Sequence, residues 1–117
     1  YLYQFDAATN MALPGGAPLV PQQGVCPSGW HVATDCEYQY VEHTLGMTVA
    51  EQQAVGVRAS GSVGTALKVA GNSGLDITLS GARRYNTGFI NGGSEGHFWS
   101  SECLTTGCYK RIFNVAD

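Results

Sequence analysis

Glycine and proline interrupt this chain so often that no long regular element fits between them. With 16 Gly and 4 Pro among 117 residues, a turn former falls at roughly one position in six. What remains open is a fold of short helices and short strands joined by long irregular loops. Apolar residues still make up 44% of the chain and aromatic ones 10%, a content that disordered chains lack and that supplies a core. A chain of this length holds one such core, because two independent halves would each bury too little surface. The expectation is a single globular α+β domain over residues 1–117, with small antiparallel sheets, one main helix and one or two shorter ones.

The charge balance narrows the function classes. Six Lys and Arg against nine Asp and Glu give a formal charge of -3, and no basic run is present to track a phosphate backbone. Nucleic acid is therefore not an expected partner. Apolar stretches of a few residues fall far short of the ~20 that cross a bilayer, and no charged start with an apolar run marks a signal peptide. Membrane insertion is not expected. The chain begins at Tyr1 rather than Met, which reads as a processed or excised piece.

Periodicity places the elements. Tyr1, Tyr3 and Phe5 alternate with Leu2 and Gln4 as in a strand, and an Ala-rich turn follows through Asn10. Residues 11–24 carry three prolines and three glycines and read as loop. Thr34-Asp35-Cys36-Glu37 is a capping box: the Thr34 hydroxyl accepts from the Glu37 amide, and the Glu37 carboxylate reaches back to the Thr34 amide. It predicts the main helix, from Asp35 to Leu45 with a stop at Gly46. On that helix Tyr38, Val41 and Leu45 fall on one stripe expected to be buried, with Glu37, Gln39 and Glu42 off it. His43 reads as a solvated residue at the negative helix end.

The same capping logic at Thr48 and Glu51 predicts a short helix to about Val55, and a further turn spans Gly64 to Val69 with Ala66 and Leu67 facing inward. Beyond Gly74 the pattern changes. Leu75, Ile77 and Leu79 alternate with polar residues, and glycines at 81, 88, 92, 93 and 96 mark tight turns between short strands. Residues 97–101 and 109–113 read as antiparallel strands flanking a loop between Cys103 and Cys108.

Four cysteines, an even number in a small and Lys-poor chain, point to an oxidising compartment, extracellular or at a cell or virion surface. Cys103 and Cys108 bracket the turn-forming Leu-Thr-Thr-Gly and are the first disulfide expected, with Cys26 and Cys36 the second. Zinc is a competing use of these residues. Cys26 with His31, Cys36 with His43, and His97 with Cys103 and Cys108 offer ligands, yet none has the spacing of a Cys-x2-4-Cys knuckle. No metal and no cofactor is assigned.

Gly24-Val25-Cys26-Pro27-Ser28-Gly29-Trp30-His31-Val32-Ala33-Thr34-Asp35, then Glu37-Tyr38 and Leu45-Gly46, resemble the signature of the Fibrobacter succinogenes major paralogous domain. Further pieces follow in that family's order: Ala66-Leu67-Lys68, Gly74-Leu75, Gly81-Ala82-Arg83-Arg84, Gly88-Phe89, Gly96-His97-Phe98-Trp99-Ser100-Ser101-Glu102 and Tyr109-Lys110-Arg111. The resemblance covers nearly the whole chain. It implies a C-type-lectin-like fold and a secreted or surface protein of bacteria, with similar domains in phage and appendage proteins. It also implies that Cys26 ordinarily pairs with a cysteine in a later strand, which leaves Cys36 as its available partner here.

The motif residues read chiefly as structural. Trp30 and Trp99 are expected as core anchors and His31 as a turn-fixing residue bonded to backbone, beside the capping pair Thr34 and Glu37. Of the adjacent Arg83 and Arg84, one is expected to pair with Glu95 or Glu102, which leaves the other for a ligand. The segment 85–97 combines Tyr, Asn, Ser and Gly in the manner of recognition loops. It supplies the candidate ligand-binding residues Tyr85, Asn86, Phe89, Asn91, Glu95 and His97. Sugar-binding C-type lectins use calcium, but no Glu-Pro-Asn or Trp-Asn-Asp motif is present to support it.

The sequence thus points to a non-enzymatic recognition or adhesion module that binds a surface glycan or protein, with no catalytic residues assigned. One alternative is a structural subunit of a bacterial or phage appendage, packed against neighbouring subunits. A second is an oxidase of the formylglycine-generating type, a distant fold relative whose two active-site cysteines share the separation of Cys103 and Cys108 and which needs that pair reduced.

Overall fold

The computed structural model of the chain describes residues 2–10, 22–56, 58, 62–104 and 107–115; most of the proline-rich loop expected over 11–24 lies outside them. Four short helices come first: α1 (Phe5–Thr9), α2 (Asp35–Thr44), α3 (Val49–Gln53) and α4 (Val63–Leu67). Four strands follow, β1 (Ala82–Arg84), β2 (Gly88–Ile90), β3 (Glu95–Leu104) and β4 (Gly107–Asn114). They form two small antiparallel sheets, β1 with β2 and β3 with β4. The architecture is α+β, with short elements throughout. Its residues cluster into two compact units, Tyr1–Glu37 with Phe98–Arg111 and Tyr38–His97 with Ile112–Asp117.

In the first unit the expected N-terminal strand is instead a short extended segment, and the Ala-rich turn is helix α1. Ala7 and Ala8 favour helix, the Thr9 hydroxyl bonds back to the Phe5 carbonyl at 2.8 Å, and Asn10 ends the turn in the left-handed region. Phe5, Ala8 and Thr9 are buried, and the Phe5 ring meets Trp99 edge-on at 5.7 Å. The Trp99 indole donates to the Tyr3 carbonyl at 2.9 Å, so this tryptophan anchors the core as expected and its polar edge is satisfied.

The loops of this unit are tied by backbone bonds. Val25 donates to Ala8 at 3.0 Å, Val32 to Gln22 at 2.8 Å, and Ser101 to Ala33 at 2.9 Å. Two expectations are corrected in this unit. The Pro27-Ser28-Gly29 turn, closed by Trp30 N–H to the Pro27 carbonyl, leaves the Trp30 side chain 71% exposed, so Trp30 is not a core anchor. The segment before α2 is held to Gln22 and β3, and Cys26 and Cys36 are free thiols in place of the expected second disulfide, whereas Cys103 and Cys108 form the expected first one.

Helix α2 begins at its capping box as predicted. Thr34 N–H donates to the Glu37 carboxylate at 2.8 Å and Glu37 N–H donates to the Thr34 hydroxyl at 3.2 Å. It ends one residue earlier than expected, with Gly46 in the left-handed region. Gly46 donates to His43 and Met47 to Glu42, the two bonds of a Schellman stop. The second capping box, Thr48 with Glu51, starts α3. His43 is exposed, as expected, and its ring lies 3.3 Å from the Met47 carbonyl.

In the second unit the buried side of α2 differs from the apolar stripe. Val41 is exposed, Tyr38 and Leu45 are half-buried, and the buried residue is Glu42. Arg58 reaches it with both guanidinium ends at 2.8 Å, and one end also donates to the Gln52 carbonyl. Gln52, buried too, donates to the Met47 carbonyl. A bidentate pair of this kind replaces the water that both charges lose, so the pattern follows the ion pair and not the apolar period. Met47, Val63, Leu67, Ile77 and Phe113 supply the apolar part of this core.

Between α4 and β1 the alternating run 75–80 makes one parallel bridge, Lys68 with Ile77, and no strand. Asp76 sits at φ 50°, outside strand geometry, and only the Ile77 side chain is buried.

Removing one partner of the Glu42–Arg58 pair leaves a buried charge alone. Glu42→Ala is expected to lower stability by about 3–5 kcal/mol, whereas the double change Glu42→Leu with Arg58→Met restores most of it. Urea midpoints of the three chains check this, and equal losses in the single and double variants would contradict it.

Candidate functional site

The segment 82–97 forms a hairpin on a braced base. Register pairs Ala82 with Ile90, Arg83 with Phe89 and Arg84 with Gly88, and residues 85–87 make the turn. Side chains alternate across a strand, so Ala82 and Ile90 share one face, which is half-buried, while Arg83 and Phe89 share the other, which is exposed. Tyr85 at the turn is 98% exposed and Phe89 77%. Apolar rings held this far into water on a short sheet contribute nothing to the core.

The base is fixed by backbone bonds. Gly81 N–H donates to the Glu95 carbonyl at 2.6 Å and Gly93 N–H to the Leu79 carbonyl at 2.7 Å. Gly81 is buried at φ 73°, and a Cβ there would run into the Ile90 carbonyl oxygen and the Gly92 nitrogen. Asn91, at φ 55°, turns the chain out of β2, and its carbonyl accepts from both Ser94 and Glu95.

The candidate residues sort between these two parts. Tyr85, Asn86, Phe89 and Asn91 are exposed. Glu95 and His97 lie in the base, bonded to each other at 2.8 Å. The Asn91 side chain, then His97, hold the Glu95 carboxyl below its ordinary range, and the His97 and Arg84 charges add to this. Arg84 thus acts on Glu95, while Glu102 accepts from the Asp35 N–H in the other unit. Both arginines are exposed, and by the strand register Arg83 shares the face of Phe89 while Arg84 lies on the opposite one.

The motif residues of the first unit form a separate cluster. His31 Nε2 lies 2.8 and 3.0 Å from the two Glu37 oxygens, so its partner is a carboxylate in place of the expected backbone group. Glu37 also takes the Thr34 N–H and hydroxyl. The Thr34 amide is the chief cause that lowers the Glu37 pKa; burial opposes it, and the hydrogen bonds from His31 and the Thr34 hydroxyl add to the lowering. Trp30, exposed beside His31, was missed as a surface residue because its tight turn leaves no apolar period to read. Among the described residues, no group of three or more His, Cys, Asp or Glu is placed to hold a metal ion. No helix among them is long and apolar enough to cross a membrane.

The Fibrobacter succinogenes major domain model matches residues 1–113. The chain belongs to that family. No curated protein and no solved structure shows a significant match to it.

Two predictions follow from the base and the capping box. Gly81→Ala is expected to destabilise the chain by at least about 1 kcal/mol, because a left-handed backbone disfavours a Cβ before any collision is counted. Gly92→Ala, where a Cβ meets nothing within 4 Å, serves as the neutral control; equal thermal midpoints of the two variants would refute this. Glu37 and Glu95 both have folded pKa values below the unfolded one, so their contribution is complete above pH about 4.3 and is lost as pH falls through the lowered values. Glu37→Gln should narrow the gap between urea midpoints at pH 7 and pH 3. An unchanged gap would remove Glu37 from that acid-side loss.

Proposed function

We propose that this member of the Fibrobacter succinogenes major domain family is an extracellular, non-enzymatic recognition module on a C-type-lectin-like framework, binding a surface ligand through the hairpin and turns of 85–97. The observation that carries the reading is the exposed pair Tyr85 and Phe89, held out on a hairpin whose base is braced by backbone bonds. Aromatic rings on a rigid support give contact area at little ordering cost, and the neighbouring Asn86 amide supplies directional bonds. The Cys103–Cys108 disulfide favours an oxidising compartment.

The test is a glycan array probed with the purified chain, with and without a chelator, beside the variant Tyr85→Ala with Phe89→Ala. Selective binding lost in the variant is expected. Binding that survives it would place recognition elsewhere, and a blank array with self-association of the chain would favour a subunit of a surface appendage. Loss of binding in chelator would add a metal to the site.

A further inference from the structure

Four cations lie in the second unit, Arg58, Lys68, Arg83 and Arg84. Arg58 is bound to Glu42, and Lys68 donates to the carbonyls of Asn114 and Val115 at 3.0 and 3.3 Å. Arg84 pairs with Gly88 and so lies on the face opposite Phe89. Arg83 is exposed and, among the described residues, has no carboxylate partner. Its cross-strand neighbour is Phe89, whose ring is exposed on the same face, and Tyr85 stands at the adjoining turn.

Opposed side chains on a strand pair start roughly 5 Å apart, about the width of one pyranose ring. A sugar laid on the Phe89 ring therefore brings a ring substituent to the guanidinium beside it. Arg presents a planar fork that matches a carboxylate in two parallel bonds, and such bonds are stronger than neutral ones. We infer that the outward face of the β1–β2 hairpin takes a carboxylate-bearing glycan, of the uronic or sialic acid class, with Arg83 holding the carboxylate and Phe89 and Tyr85 the sugar faces. The inference rests on the recognition reading above and narrows its ligand.

The charge arrangement around the face agrees with an anion. Glu95, the carboxylate of the base, is engaged by hydrogen bonds from Asn91 and His97. The chain as a whole carries -3, which gives an anion no long-range attraction. Selectivity then comes from the contact itself.

The experiment is calorimetric titration of the chain with oligogalacturonate against its fully methyl-esterified form, and with sialyllactose against its methyl ester. Each pair keeps sugar contacts and changes the acid. At least one acidic member is expected to bind about tenfold tighter than its neutral counterpart, with a smaller margin in 0.5 M salt. Arg83→Gln should erase the margin while retaining the weaker neutral binding, and Phe89→Ala should weaken both. All these positions are exposed, so unchanged urea midpoints are expected and check that the variants fold. Equal binding of acid and neutral forms, or a margin that survives Arg83→Gln, overturns the inference and leaves the recognition module standing. Binding of neither pair, with other glycans bound on the array, also overturns it alone; a blank array sinks both readings.

Discussion

In a chain with so little regular structure, backbone groups in the loops must find partners beyond the helices' and ladders' own bonds, and they find them in other loops and along neighbouring helices and strands. Val25 to Ala8, Val32 to Gln22 and Ser101 to Ala33 do this in the first unit. Gly81 to Glu95, Gly93 to Leu79 and Val115 to Ser94 do it in the second. An unpaired buried amide or carbonyl costs about 1–3 kcal/mol, so the bonds made by the buried Ala8, Ser101 and Gly81 limit where their loops can lie. The turns that present Trp30 and the β1–β2 hairpin follow from them.

The same constraint separates what the sequence reveals from what it conceals. Capping boxes are complete within four residues, so both helix starts, at Thr34 and Thr48, are readable without knowledge of the fold. The strands around Cys103 and Cys108 are readable for the same local reason, a turn flanked by two β-prone runs. The interior face of α2 is not. Its apolar stripe predicts burial of Val41, but the contact that wins is Arg58, sixteen residues away, and a charge pair leaves no periodic trace. Trp30 fails in the opposite direction: an aromatic residue in a specific motif suggests a core, while the Pro27 turn decides that it faces water. Residues 75–80 show that alternation alone does not make a strand when Asp76 takes a left-handed backbone.

Within the candidate site the legible part is composition, and the concealed part is facing. Tyr, Asn, Ser and Gly between 85 and 97 mark a recognition loop in sequence, yet sequence treats Asn91, Glu95 and His97 as equals of Tyr85 and Phe89. The structure divides them. Glu95, His97 and the Asn91 turn belong to the base, where they are engaged with each other and with Gly81. Tyr85 and Phe89 belong to the presented surface, and Arg83 joins them only through the strand register.

That division has a physical consequence for how such a module varies. The base depends on a glycine that admits no Cβ, on a left-handed asparagine, and on the hydrogen-bonded Glu95 and His97, so few residue types satisfy it. The outward face depends on nothing beneath it: Arg83, Tyr85 and Phe89 can be exchanged without opening a cavity or orphaning a buried group. Geometry is held by one set of side chains and, on the proposed reading, ligand chemistry by another. On that reading the scaffold changes what it binds without changing how it folds, because Arg83, Tyr85 and Phe89 carry none of the packing.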